Sequence, residues 1–130
     1  MLGELESNGR IVVCDLEAGL GTLLRVQAGQ LDVALVVAQP TAKSIEVARR
    51  AVRIASTRSR VMLIANRVRS KADVELIREG VAWEGGDIVI VPDDPEVARA
   101  DEEGLAPIDA APNGPGVRAV EALAALLEPA

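Results

Sequence analysis

Four short runs of apolar residues punctuate the chain: Ile11–Cys14, Val33–Ala38, Val61–Ala65 and Ile88–Val91. Each is continuous rather than alternating and rich in Val and Ile, the pattern of strands buried on both faces of a parallel sheet. They begin 22, 28 and 27 residues apart, about one βα unit each. The intervals read as helices. Thr41 is placed to cap a helix over about 42–56, with Ile45, Ala48, Val52 and Ala55 on one face. Ser70 followed by Asp73 resembles a capping box, and Gly80 suits the residue just past that helix. Asp94-Pro95 is an N-cap followed by proline at the first helical position, opening a short acidic helix that stops at Gly104. Pro115 starts the last helix, with Val117, Val120, Ala124 and Leu127 on one stripe. Between the first two runs, 22–29 has room only for a short helix.

Strand and helix alternating throughout predict an α/β domain: a four-stranded parallel sheet with helices on both faces. The chain of 130 residues reads as one domain, with 1–9 as a flexible lead-in and the folded unit over 10–127.

Composition narrows the chemistry. There is no His, Phe or Tyr, and Trp83 is the only aromatic residue. Without His the chain supplies no His-based triad, His general base or His-ligated metal. Cys14 is the single cysteine, so neither an internal disulfide nor a Cys-x-x-Cys metal knuckle is available, and a reducing cytoplasm fits best. No apolar run approaches the ~20 residues of a membrane span. The net charge of −6 is unevenly spread: residues 41–80 carry ten Lys or Arg against four Asp or Glu, and residues 81–130 carry two against eleven. The basic cluster Arg49, Arg50, Arg53, Arg58 and Arg60 reads as a solvated helix face or as a docking patch for an anionic partner. The acidic total and the missing aromatics argue against nucleic acid.

In open parallel sheets ligands bind beyond the carboxyl ends of the strands, so the residues leaving each run carry the candidate chemistry. The first run leads into Asp15, with Gly19 four residues on. A carboxylate is a hard oxygen ligand suited to Mg²⁺, and a glycine lets backbone approach a phosphate; the same pair also serves as ordinary turn chemistry. The third run ends in Asn66-Arg67. A carboxamide there can donate to and accept from a purine edge together, or satisfy loop amides. The fourth ends in Pro92-Asp93-Asp94, where Asp94 has the competing role of helix cap. Cys14 reads as a small buried core residue, and Trp83 as a packing lid over a helix end.

Taken in order, the segments IVVCDLEAG, DVALVVAQPTAKSIEVARR, ANRV and IVIVPDDPEVARADEEGLAPID resemble the C-terminal half of MinD/ParA-type P-loop ATPases. Within that class they look most like the maturation ATPases serving nickel carbon-monoxide dehydrogenase. The resemblance covers about residues 10–126. It implies that Asp15 holds the hydration shell of Mg²⁺ through water and that Gly19 senses the γ-phosphate, together the catalytic elements. It likewise implies that Asn66 and Arg67, with Pro92, Asp93 and Asp94 on the other side, form the adenine site for ATP. The departures are as specific. No Gly-Lys pair exists, Lys43 and Lys71 fall on predicted helices, and the Cys-x-Cys metal pair of the nickel branch is absent. The groups that grip the β- and γ-phosphates are therefore missing.

In such ATPases the phosphate-loop strand lies between the strand matching Ile11–Cys14 and the one matching Val33–Ala38. Its absence predicts a slot. Either Ile11–Cys14 closes up against Val33–Ala38 through a right-handed crossover, or another chain fills the space. The leading expectation is a split or truncated ATPase half that binds ATP and Mg²⁺ once a P-loop-bearing protein, or a second copy, completes it; a metalloenzyme is a possible client. The alternative is a non-catalytic interaction module that kept the scaffold and lost the nucleotide. A receiver-like or flavodoxin-like domain fits less well, for want of a strand-end lysine and of aromatic stacking.

Overall fold

The computed structural model of the protein describes residues 10–16 and 20–128. Among them the order is α1 (Leu20–Leu24), β1 (Val33–Ala38), α2 (Ala42–Ala55), β2 (Arg60–Val68), α3 (Lys71–Val81), β3 (Val89–Pro92), α4 (Pro95–Glu102), α5 (Pro107–Ala110) and α6 (Pro115–Leu127). The three strands form one parallel sheet in the order β1-β2-β3. The class is α/β, as the pattern of apolar runs requires, but the sheet has three strands rather than four.

The missing strand is Ile11–Cys14, which is coil. Its side chains lie in the open: Val13 is 82% exposed, and Cys14 is exposed rather than buried. A run of Ile and Val becomes a strand only where another strand accepts its backbone hydrogen bonds. Among the described residues β1 pairs along one edge only, with β2. The lead-in expected over 1–9 falls outside the described residues.

Two apolar layers flank the sheet. Alternate residues of a strand face opposite sides, and β2 divides accordingly. Leu63 and Ala65 join Ile45 and Ala48 of α2 and Val74, Ile77 and Val81 of α3 in the largest core cluster. Met62 and Ile64 turn the other way, toward Leu123, Ala119 and Leu127 of α6, together with Val89 and Val91 of β3. Helices therefore cover both faces. The cover over β1 is one-sided: Ala34, Val36 and Ala38 are buried, whereas Leu35 and Val37 are exposed.

Local chemistry explains the helix bounds. Thr41 Oγ1 accepts the Ser44 amide at 3.3 Å and Ser44 Oγ accepts the Gln39 amide at 2.8 Å, a reciprocal cap at the start of α2. Helix α4 begins at Pro95 behind the Asp94 cap and gives way to Gly104 at φ 70°, as its signals predict. Helix α3 runs past Gly80 to Val81, and the left-handed residue closing it is Ala82 (φ 57°). Gly80 has another purpose: a β-carbon there would fall on Ile45 Cγ2, so its absence sets the approach of α3 to α2. The expected Ser70–Asp73 box is rearranged, since Ser70 makes no side-chain cap bond and Asp73 Oδ2 accepts the Arg69 amide at 2.8 Å instead. In α6 the buried set is Gly116, Val117 and Leu123, while Val120 is exposed; with apolar residues on most sides of PGVRAVEALAALL, periodicity alone does not choose the face. Trp83 packs against the main core cluster beyond the end of α3, and its Nε1 donates to the Gly86 carbonyl at 3.1 Å.

Candidate functional site at the carboxyl ends of β2 and β3

Strand β2 is irregular where it carries the candidate polar residues. Ala65 pairs with Ile90 and Val68 with Pro92, so three residues of β2 are crossed while β3 advances by two. That is a β-bulge. Its extra residue reverses the side-chain alternation, which returns Val68 to the face of Leu63 and Ala65. Within it Arg67 adopts φ 58°, a left-handed conformation uncommon for a side-chain-bearing residue and disfavoured by about 1–2 kcal/mol. Bulges of this kind re-aim side chains, and they concentrate at sites of function.

The bulge brings Asn66, Arg67 and Asp93 together. Asn66 is half-buried, and its Oδ1 accepts the Arg67 amide at 3.0 Å. Arg67 Nε donates to Asp93 Oδ1 at 3.2 Å, and the Asp93 amide donates to the Val68 carbonyl at 3.0 Å. The ion pair is exposed, with side-chain accessibilities of 61% and 37%, so it contributes about 0–1 kcal/mol. Its effect is geometric: it ties the end of β2 to the loop leaving β3. Pro92 closes β3 half-buried beside this tie.

Asp94 is the buried member of the group, 7% exposed. Oδ1 accepts the Glu96 amide at 3.0 Å and Oδ2 the Gly116 amide at 3.1 Å. The carboxylate therefore caps α4 and braces the first turn of α6 at once. Only the capping half is legible in Asp94-Pro95; the reach across 22 residues to Gly116 has no local signal. On the flank of the site, the Arg69 backbone amide and, after it, the Arg69 guanidinium hold the Asp73 carboxyl below its ordinary pKa against an opposing effect of burial.

The structure does not gather all the predicted residues. Asp15 is exposed in the coil after Cys14. It lines a groove along the open edge of β1, a groove that none of Asn66, Arg67, Pro92, Asp93 and Asp94 lines. Gly19 lies outside the described residues. Among the described residues no three His, Cys, Asp or Glu side chains converge as a metal cage.

No protein-family model matches the chain, and comparison with curated proteins finds no match. No helix among the described residues is long and apolar enough to cross a membrane.

Proposed function

We propose that this chain is an adenine-nucleotide-binding half of an ATPase of the MinD/ParA type, on a truncated P-loop NTPase architecture, completed by a polypeptide that supplies the phosphate loop. The observation that carries the reading is the bulge. It sets the Asn66 carboxamide at the carboxyl edge of a parallel sheet, where ligands of such sheets bind, and ties it to the Pro92–Asp93 loop through Arg67. Asn66 would read the adenine edge by donating and accepting together, with Pro92 and Asp93 against the opposite side of the base. Asp15 would bear on Mg²⁺ through water once phosphates are brought to it, and hydrolysis waits on the partner, because positioning and charge stabilisation of the γ-phosphate supply nearly all of such catalysis. The sequence resemblance to nickel-maturation ATPases points to a metalloenzyme as the client.

Calorimetric titration of the isolated chain with Mg-ATP and Mg-GTP tests this. Weak binding, no tighter than millimolar, that favours ATP and loses the preference in Asn66→Ala is the expected result. Sub-millimolar affinity without a partner would show that no phosphate loop is needed, and equal affinity for the two nucleotides would remove Asn66 from base recognition.

A second reading, a non-catalytic interaction module, is favoured by one observation: the open apolar edge of β1. Light scattering separates the two. A dimer indifferent to nucleotide supports the module, and a monomer that assembles only with a P-loop-bearing partner supports the split ATPase.

A further inference from the structure

The groove beside β1 has the form of a vacant strand position. β1 hydrogen-bonds to β2 on one side, and among the described residues no strand pairs with its other side, so the main-chain N–H and C=O groups of every second residue of Val33–Ala38 face outward. Arg10–Leu16 forms the far wall, and between it and Leu31–Val37 lies a cavity of about 660 Å³. The cavity is bounded in both layers of the fold. Val47, Ala48 and Ala51 of α2 line it on one face of the sheet. Leu127 of α6, which packs with the opposite face, lines it too. The space therefore lies along the open edge of β1, with α2 over one face and Leu127 alone reaching it from the other.

We propose that this slot takes an extended apolar segment of another polypeptide as an additional β-strand beside β1. The chemistry of the walls selects that occupant. A row of outward N–H and C=O groups is matched along its length only by another extended backbone, not by a helix, whose own groups are internally paired. The charged residues of the lining stand at its margins: Arg10 and Asp15 flank Ile11–Cys14, and Asp32 precedes β1. The inserted side chains are thus apolar on both faces, toward α2 on one side and Leu127 on the other. A second copy's β1 is a poor occupant. It would arrive with its own β2 attached about 4.8 Å away, in the space that Arg10–Leu16 holds. The segment must have both edges free. This inference rests on the strand edge and holds whether or not Asn66 meets a nucleotide.

Residue-resolved amide hydrogen exchange on the full chain tests it, with a capped peptide carrying the β1 sequence VALVVA between lysines as the probe. In the chain alone, every second amide of Val33–Ala38 should exchange fast, being directed away from β2. Added peptide should slow those amides at least about tenfold, as new strand pairing does. A peptide N-methylated at alternate residues should have no effect. Val37→Lys, at a position already 55% exposed, should weaken the peptide's effect by at least about tenfold, since lysine is a common guard of strand edges. Slow exchange of all six amides in the free chain overturns the proposal; dilution then tells closure by Arg10–Leu16 from pairing of two copies. So does an undiminished effect of the N-methylated peptide, or no slowing at millimolar peptide. None of these readouts involves nucleotide, so failure here leaves the ATP reading standing and the reverse is equally true.

Discussion

Asp94 shows how much of this fold passes through single side chains. Its two carboxylate oxygens each accept one backbone amide, from Glu96 and Gly116, the second of these bonds buried. Asp94→Ala leaves a buried N–H at Gly116 without an acceptor and strips the α4 cap. The expected loss is about 2–3 kcal/mol in denaturant unfolding, with Asp94→Asn losing less because one oxygen remains. Room for a larger side chain is absent: a β-carbon on Gly116 would come within 3.2 Å of Asp94 and 3.1 Å of Val97. Arg67 is the contrasting case, an exposed residue whose left-handed backbone, rather than its ion pair, is the notable feature.

At the scale of the element, contacts between helices and at their ends decide stability. Gly80→Ala would raise intrinsic helix propensity by about 1 kcal/mol, yet the added methyl meets the stiff, buried, β-branched Ile45. Overpacking of that kind costs about 1–3 kcal/mol, so the variant should unfold at lower denaturant than the parent. Helix α3 should also respond to acid. The Asp73 carboxyl titrates below its unfolded value, so its contribution is present above the ordinary aspartate pKa of about 3.9 and is lost as pH falls through the lower folded value. Carboxyl NMR titration should place Asp73 below the ordinary aspartate value, and Asp73→Asn should abolish the acid-dependent loosening of the first turn of α3. Elements whose signals are local were legible in advance: β1 is bounded as its apolar run, and α2 and α4 start behind the expected caps Thr41 and Asp94. The bulge at Arg67 was not, since no glycine marks it. Nor was the fate of Ile11–Cys14, because a strand is a relation to a neighbour and its apolar pattern does not say whether it pairs with the open edge of β1. For the site, sequence brought Asn66, Arg67 and Asp93 into view, but only the fold shows that a bulge joins them while Asp15 stands apart on the β1 edge.

For the whole molecule, the strands lie in the sheet in the order in which they occur in the chain. The buried residues of the main core cluster all come from Val36 to Val81, whereas the opposite cluster needs Leu123 of α6. A chain emerging from the ribosome can therefore assemble β1, α2, β2 and α3 around a dried interior before β3 and α6 have been made. Pulse-labelled exchange during refolding should find amides of α2, β2 and α3 protected ahead of those in α6. During synthesis the face of Met62 and Ile64 would stay wet until the last helix arrives, and this interval is when a half-made chain is most exposed to unwanted association.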